Sequence, residues 1–239
     1  MQKISSKDNE KIRYLRKLSQ KKYREKFGEF FVENLKIIQD AGVAPKAIFA
    51  TDKKVLEKLQ ADEKYLISAQ INKSFSNLDT PSGIVALYKK EQKPIDFSSK
   101  IVYLNRISDP GNLGTILRTA LAFGFKNIIV DEGCADIYNP KTVQAAKDAI
   151  FKVNIAEDKN LKLLKEIKKN MPIVSARLEG GKDPEKFARK KICLVLGSES
   201  HGVDKAIEKL SDDFIKIKIS KEIESLNVAI AAGIILYSI

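Results

Sequence analysis

Hydrophobic positions in this chain alternate between two periods. From Ile101 onward, short apolar runs at Ile101–Leu104, Asn127–Asp131, Val153–Ala156, Pro172–Ala176, Ile192–Gly197 and Phe214–Ile219 read as strands. Several are β-branched and apolar at successive positions, as strands covered on both faces should be. Between them, Leu113–Phe123, Lys141–Phe151, Leu161–Asn170 and Val203–Leu210 read as helices, and Ser225–Tyr237 as a final one. This rhythm predicts an α/β domain with a mostly parallel sheet between helices.

The first ninety residues follow the same alternation in shorter steps. Asp8 to Phe27 places Ile12, Leu15, Leu18 and Tyr23 near helical spacing, with Lys and Arg between them, and predicts one helix. Glu29–Glu33 is a strand candidate, and Leu35–Gly42 a helix closed by glycine. Ala47–Ala50, Tyr65–Ile67 and Ile84–Leu87 are further strands, separated by Lys/Glu-rich helical stretches. A small α/β domain over residues 1–90 is expected. The polar, proline-containing stretch 91–100 lacks periodicity and reads as a linker, leaving 101–239 as a second domain.

Charge adds a partner to this picture. The net charge is +12, and residues 1–26 alone hold ten basic and three acidic side chains. A basic N-terminal segment favours a polyanion through counterion release, although a solvated helix face would read the same way. Tyr14 and Tyr23 among these cations could stack on bases or form the core face of their helix. No apolar run approaches the roughly 18 residues of a membrane span, and the charged start Met1–Lys7 is not a secretory signal. Two cysteines, Cys134 and Cys193, are too few for a disulfide framework or a zinc site, so no metal is expected. Cys193 reads as a buried free thiol, and a reducing cytoplasm is the expected compartment. Neither a G-x-G-x-x-G turn nor a P-loop is present, which argues against dinucleotide oxidoreductases and NTPases.

Three segments gather polar residues where apolar strands end, the edge at which open α/β sheets bind ligands. In the first, 105–120, Asp109-Pro110-Gly111 is turn chemistry. Asn112 is placed to cap a helix starting near Leu113, and Arg118 lies one and a half turns on. Read alone, Asn112 is a cap and Arg118 a surface ion pair. In the second, Leu194–Glu199, Gly197 lets a ligand approach the backbone and Glu199 stands at the exposed edge. His201, the only histidine, invites a general-base role. In the third, Glu224–Ala229, Ser225 can cap the last helix, whose first N–H groups suit an anion or carboxylate. Asn227 follows, and Ala229, Ala231, Ala232 and Gly233 permit close packing of backbones.

In order, spacing and identity these segments resemble the SpoU (TrmH-like) branch of the SPOUT RNA 2′-O-ribose methyltransferases. Residues 16–33 are similar to the RNA substrate-binding domain that precedes the catalytic domain in ribosomal-RNA members. The resemblance implies a SPOUT fold with a C-terminal trefoil knot, S-adenosyl-L-methionine as cofactor, and a homodimer whose sites are completed across the interface. Carried over by position, Gly197, Ile217 and Leu226 would contact the cofactor. Asn112, Arg118, Glu199, Ser225 and Asn227 would line the catalytic site. The implied reaction is methyl transfer to a ribose 2′-hydroxyl of RNA, most naturally ribosomal RNA. A transfer-RNA methyltransferase and a catalytically silent RNA-binding or assembly protein are the alternatives. Because a guanidinium stays protonated, Arg118 is expected to act as a cation that grips phosphate and stabilises a developing alkoxide.

The chain departs from the family pattern in three places. Ile217-Lys218-Ile219 stands where Ile-Pro-Met is usual, with Lys221 for a common glycine. Gln144–Ala149 replaces Arg-Ala-Ser-x-Gly-Ala, and Glu33-Asn34 replaces Glu-Gly.

Overall fold

The computed structural model describes residues 1–91 and 93–239; Gln92, inside the expected linker, lies outside the described residues. The chain forms two compact units, Met1–Glu91 with Tyr138–Phe151, and Gln92–Ile137 with Lys152–Ile239. The first unit thus takes in a stretch of sequence that lies well beyond the expected linker.

In the first unit a five-stranded mixed sheet has the order β1-β4-β3-β5-β2. The strands are β1 (Gln2–Lys3), β2 (Glu29–Val32), β3 (Ala47–Ala50), β4 (Glu63–Leu66) and β5 (Ile84–Lys89). Only the pairings of β5 with β2 and β3 are antiparallel. The helices are α1 (Glu10–Leu18), α2 (Lys21–Phe27), α3 (Leu35–Asp40), α4 (Lys53–Lys58) and α5 (Ala69–Lys73). Ile12, Leu15 and Leu18 of α1 bury themselves against Phe31, Phe49, Tyr65 and Val85.

The single helix expected over 8–27 is two. Gln20 turns extended (φ −100°, ψ 134°), and the buried Arg24 of α2 donates to the Leu18 carbonyl at 2.7 Å, satisfying the end of α1. Apolar spacing continues across the break, which is why periodicity misses it.

The second unit holds a six-stranded sheet, all parallel, in the order β11-β9-β10-β6-β7-β8. Its strands are β6 (Ile101–Leu104), β7 (Asn127–Asp131), β8 (Asn154–Asp158), β9 (Ile173–Ala176), β10 (Cys193–Leu196) and β11 (Asp213–Ile215). The helices from here on are α6 (Pro110–Ala122), α7 (Pro140–Ala146), α8 (Ala149–Lys152), α9 (Lys162–Ile167), α10 (Lys205–Glu208) and α11 (Val228–Ser238), of which α7 and all of α8 but Lys152 belong to the first unit. Ile101, Tyr103, Cys193 and Val195 face Leu164 and Ile167 of α9 and Ile207 of α10. Their neighbours Val102, Leu104, Leu194 and Leu196 are equally buried and point to the opposite face. Helix α11 packs along α6.

Two expected elements are shorter or broken. The strand predicted to reach Ile219 ends at Ile215. The helix predicted over 141–151 divides at Lys147, whose backbone (φ 56°, ψ −139°) is close to a glycine-only region. Among the described residues no helix is long and apolar enough to cross a membrane, and no three His, Cys, Asp or Glu side chains are grouped so as to hold a metal ion.

Candidate active site

From β6 the chain moves outward to β7 and β8, then crosses back to build β9, β10 and β11 on the other side. Strand order therefore reverses between β6 and β10, which lie side by side with Leu104 opposite Leu196. The crevice beyond the carboxyl ends at such a reversal is where ligands bind, and the first two polar segments leave those two strand ends.

Turn chemistry sets each side chain. Asp109, not Asn112, caps α6: its Oδ1 accepts the Asn112 N–H at 2.7 Å, and Pro110 supplies the first helical position. Asn112 sits in the first turn with its amide free to reach sideways. At the other helix the expected cap, Ser225, is replaced by Asn227, whose Oδ1 accepts from Ala229 N at 3.0 Å and Ile230 N at 3.3 Å. Helix α11 accordingly starts at Val228. Because its oxygen is committed to the helix end, the Asn227 amide nitrogen points outward.

That nitrogen donates to Glu199 Oε1 at 2.6 Å and to Asn112 Oδ1 at 3.0 Å. Asn112 Nδ2 donates to the same Glu199 oxygen at 3.1 Å, and the Val228 N–H adds a third bond at 3.0 Å. The carboxylate expected at this helix start is thus the protein's own. Three donors converge on Oε1, while Oε2 keeps its lone pairs free among the described residues.

The loops bearing Asn112 and Glu199 are tied together from below. The buried Asn105 donates to Asp131 at 2.6 Å and to Asp204 at 3.0 Å, and accepts the Asp204 N–H at 2.8 Å. The Asn105 amide, and then Arg106, hold the Asp204 carboxyl below the usual carboxylate range. Cys134 lies under the same loop, accepting from Ile107 N and donating to the Leu104 carbonyl. Burial, and then Asp131, push its thiol up to about 12.

Beside Glu199 opens a cavity of about 420 Å³, lined by Gly197, Ile217, Ile219, Ser225, Leu226 and Arg177 among others. The residues beyond β11 that failed to extend the strand form one wall of it. Gly197, Ile217 and Leu226 therefore line one cavity. The reason for Gly197 differs from the one expected: a Cβ there would lie 2.2 Å from the Gly202 carbonyl carbon. It is the chain's own return at Gly202, closed by reciprocal Ser198–Gly202 backbone bonds, that forbids a side chain. The altered loop leaves the cavity open, since Lys218 turns to Asp183 at 3.0 Å.

Asn112, Glu199 and Asn227 come together, and Ser225 lines the adjoining cavity. Arg118 does not join them: it is exposed on α6 and makes no hydrogen bond or ion pair among the described residues. His201 lines the cavity and shares a hydrogen bond with Ser200, with none to Glu199. Sequence reasoning missed Arg177, whose guanidinium stacks 3.7 Å from the Phe214 ring centroid at the cavity wall. It follows the carboxyl end of β9, so the strand-end rule that found Glu199 could have found it.

Comparison with known proteins places this geometry. Residues 99–237 match the model of the SpoU rRNA Methylase family, and residues 9–86 match the MRM3-like substrate binding domain. The chain is 27% identical to the 23S rRNA (guanosine(2553)-2′-O)-methyltransferase RlmP of Bacillus subtilis, covering 99% of this chain and 98% of that one. It is 25% identical to the mitochondrial rRNA methyltransferase 3A of Danio rerio, covering 90% and 64%. Among solved structures, an AdoMet-bound rRNA methyltransferase from Sinorhizobium meliloti superposes with a TM-score of 0.87 at 26% identity, covering 99% and 96%. With more than half its length under the family model and the polar cluster assembled at the sheet reversal, the chain belongs to the SpoU rRNA methylase family.

Proposed function

We propose that this chain transfers the methyl group of S-adenosyl-L-methionine to a ribose 2′-hydroxyl of ribosomal RNA. The observation that carries the reading is the Glu199 carboxylate, fixed through one oxygen at the start of α11 and open through the other beside a ligand-sized cavity. The curated and solved relatives named above act on rRNA, which favours rRNA over transfer RNA as substrate.

The cavity fits the cofactor's chemistry. Its volume lies in the range for small ligands, with Ile217, Ile219 and Leu226 as apolar walls and Arg177 and Ser225 as polar groups. Gly197, Ile217 and Leu226 would hold the cofactor there. When bound, S-adenosylmethionine supplies a methyl group on a positively charged sulfur. Glu199 accepts the hydrogen bond of the ribose 2′-hydroxyl and takes up its proton. Asn112 and Asn227 fix the carboxylate so that it need not reorganise. An open cavity argues against a catalytically silent protein.

Further parts of the reading concern assembly. Helix α11 is apolar on nearly every side, yet Ile230, Ile234 and Tyr237 are exposed, with Phe123 of α6 beside Tyr237. A second copy would cover this face, and Arg118, without a partner among the described residues of its own chain, would then serve the neighbour's site as a cation on phosphate. A C-terminal trefoil knot, a cytoplasmic location, an RNA-binding role for residues 1–90 and a catalytic one for 101–239 complete the proposal.

The test is to incubate ribosomal RNA with the purified chain and methyl-labelled cofactor, then map 2′-O-methyl sites by alkaline-resistant cleavage. Label at one ribose, lost with Glu199→Ala, is the expected result. Label on a base, or none despite bound cofactor, would refute it.

A further inference from the structure

The structure settles which N-terminal aromatic residues belong to the core. Ile12, Leu15 and Leu18 fill it, and Tyr14 packs partly against it. Tyr23 and Phe27, one turn apart on α2, lie outside, with ring centroids 6.0 Å apart and planes within 12°. Phe27 is 36% exposed, and Tyr14 supports its ring at 5.0 Å.

This pair is held from two sides. The Tyr14 hydroxyl donates to the buried Glu29 at 2.7 Å, and Lys46 donates to the other Glu29 oxygen at 2.7 Å. The buried Arg24 fixes α2 to the end of α1 through the Leu18 carbonyl. Around the rings stand cations: Lys22 at 4.9 Å and Lys17 at 5.9 Å from the Tyr23 centroid, and Lys26 at 5.8 Å from that of Phe27. The acid on this helix, Glu25, pairs with Lys21.

Resting on the reading that the chain acts on RNA, we propose that Tyr23 and Phe27 form a platform on which an unpaired base of the substrate stacks. Flat rings set among lysines suit a single strand, whose bases expose a π-face while its phosphates recruit the cations. A duplex keeps its bases stacked on each other and can offer only phosphates and groove edges. Because the rings are braced before RNA arrives, little ordering entropy opposes binding.

The chain contains no tryptophan, so Phe27→Trp makes a single reporter. The full-length variant is titrated with single-stranded oligoadenylate and with an RNA duplex of equal phosphate number. Quenching by the single strand alone is expected. Tyr23→Leu and Phe27→Leu, which keep apolar bulk without a ring, should weaken single-strand binding by about 5- to 150-fold. Their salt dependence should match the parent, whereas Lys22→Ala should lower the log–log slope by about one. No quenching, parental affinity in both leucine variants, or an equal loss for duplex overturns the proposal. Cofactor binding, measured calorimetrically on the same proteins, reports separately on the enzyme reading and should not change.

Discussion

Asn227 and Glu199 are joined by a 2.6 Å hydrogen bond in which the donor is also the cap of α11. One side chain therefore ends a helix and aims a carboxylate. Asn227→Ala should cost roughly 1 kcal/mol from the lost cap and release Glu199. Asn227→Asp keeps the cap but sets two carboxylates together, so it should lose stability through like-charge repulsion rather than through the cap, and methyl transfer should collapse. Parallel melting and transfer assays separate the two effects; an active Asn227→Asp would show that the bond to Glu199 does not matter.

Glu199→Gln preserves shape and removes the proton acceptor. Methyl transfer should fall by about 10²- to 10⁴-fold, the usual contribution of a positioned base. Cofactor affinity should change little, because the apolar walls of the cavity are untouched. Transfer rates and calorimetric titration of the same preparation measure both.

Gly197→Ala asks a Cβ to occupy space 2.2 Å from the Gly202 carbonyl carbon. The loop must shift, at a cost of about 1–3 kcal/mol or more, and the cavity wall shifts with it. Denaturant unfolding should show the loss, together with weakened cofactor binding. A variant with parental stability and affinity would mean that the chain crossing at Gly202 yields readily to a side chain.

Arg118 is exposed and has no partner among the described residues, so Arg118→Ala should alter stability by less than about 0.5 kcal/mol while abolishing transfer. If its role lies in a second protomer, mixing inactive Arg118→Ala with inactive Glu199→Gln should restore about a quarter of parental activity, from mixed dimers with one intact site. Absence of any recovery after exchange of subunits argues for action within one chain. Arg118→Lys distinguishes charge from shape, since a lysine cannot grip phosphate through two parallel bonds.

Cys134 links the site loop to alkaline pH. Burial raises its thiol to about 12 in the folded chain, from an ordinary value near 9. The stability this represents is whole below pH 9 and drains away as pH climbs toward 12, because the unfolded chain loses its proton first. Urea midpoints should drop between pH 9 and 11. Cys134→Ser, which keeps a donor and an acceptor without an easily lost proton, should flatten part of that drop.

How much of this was legible beforehand differs by level. The buried strands β6 and β7 appear where continuous apolar runs placed them, because burial on both faces leaves an unambiguous pattern. The clustering of Asn112, Glu199 and Asn227 followed from strand-end logic and family resemblance. The caps were misassigned: both Asn112 and Ser225 have suitable side chains, and only the tertiary pull of Glu199 and the turn at Asp109-Pro110 decides between neighbours. The break at Lys147 left no local signal, since lysine is a good helix former and nothing in its chemistry announces a positive φ. Arg118 was grouped with the site by resemblance, and a single protomer keeps it apart.

Tyr138 and Phe151 bracket a stretch of chain lying between β7 and β8, yet their rings pack on Phe30 and Tyr88 of the first unit. The polypeptide thus leaves the second unit and returns to it, so the two units are joined by three strands of chain rather than one. Protease nicking near residue 92 would not release two separable halves, and a fragment cut there to isolate the larger unit would carry a loose, greasy flap. Anyone wishing to study the halves independently must redesign that excursion.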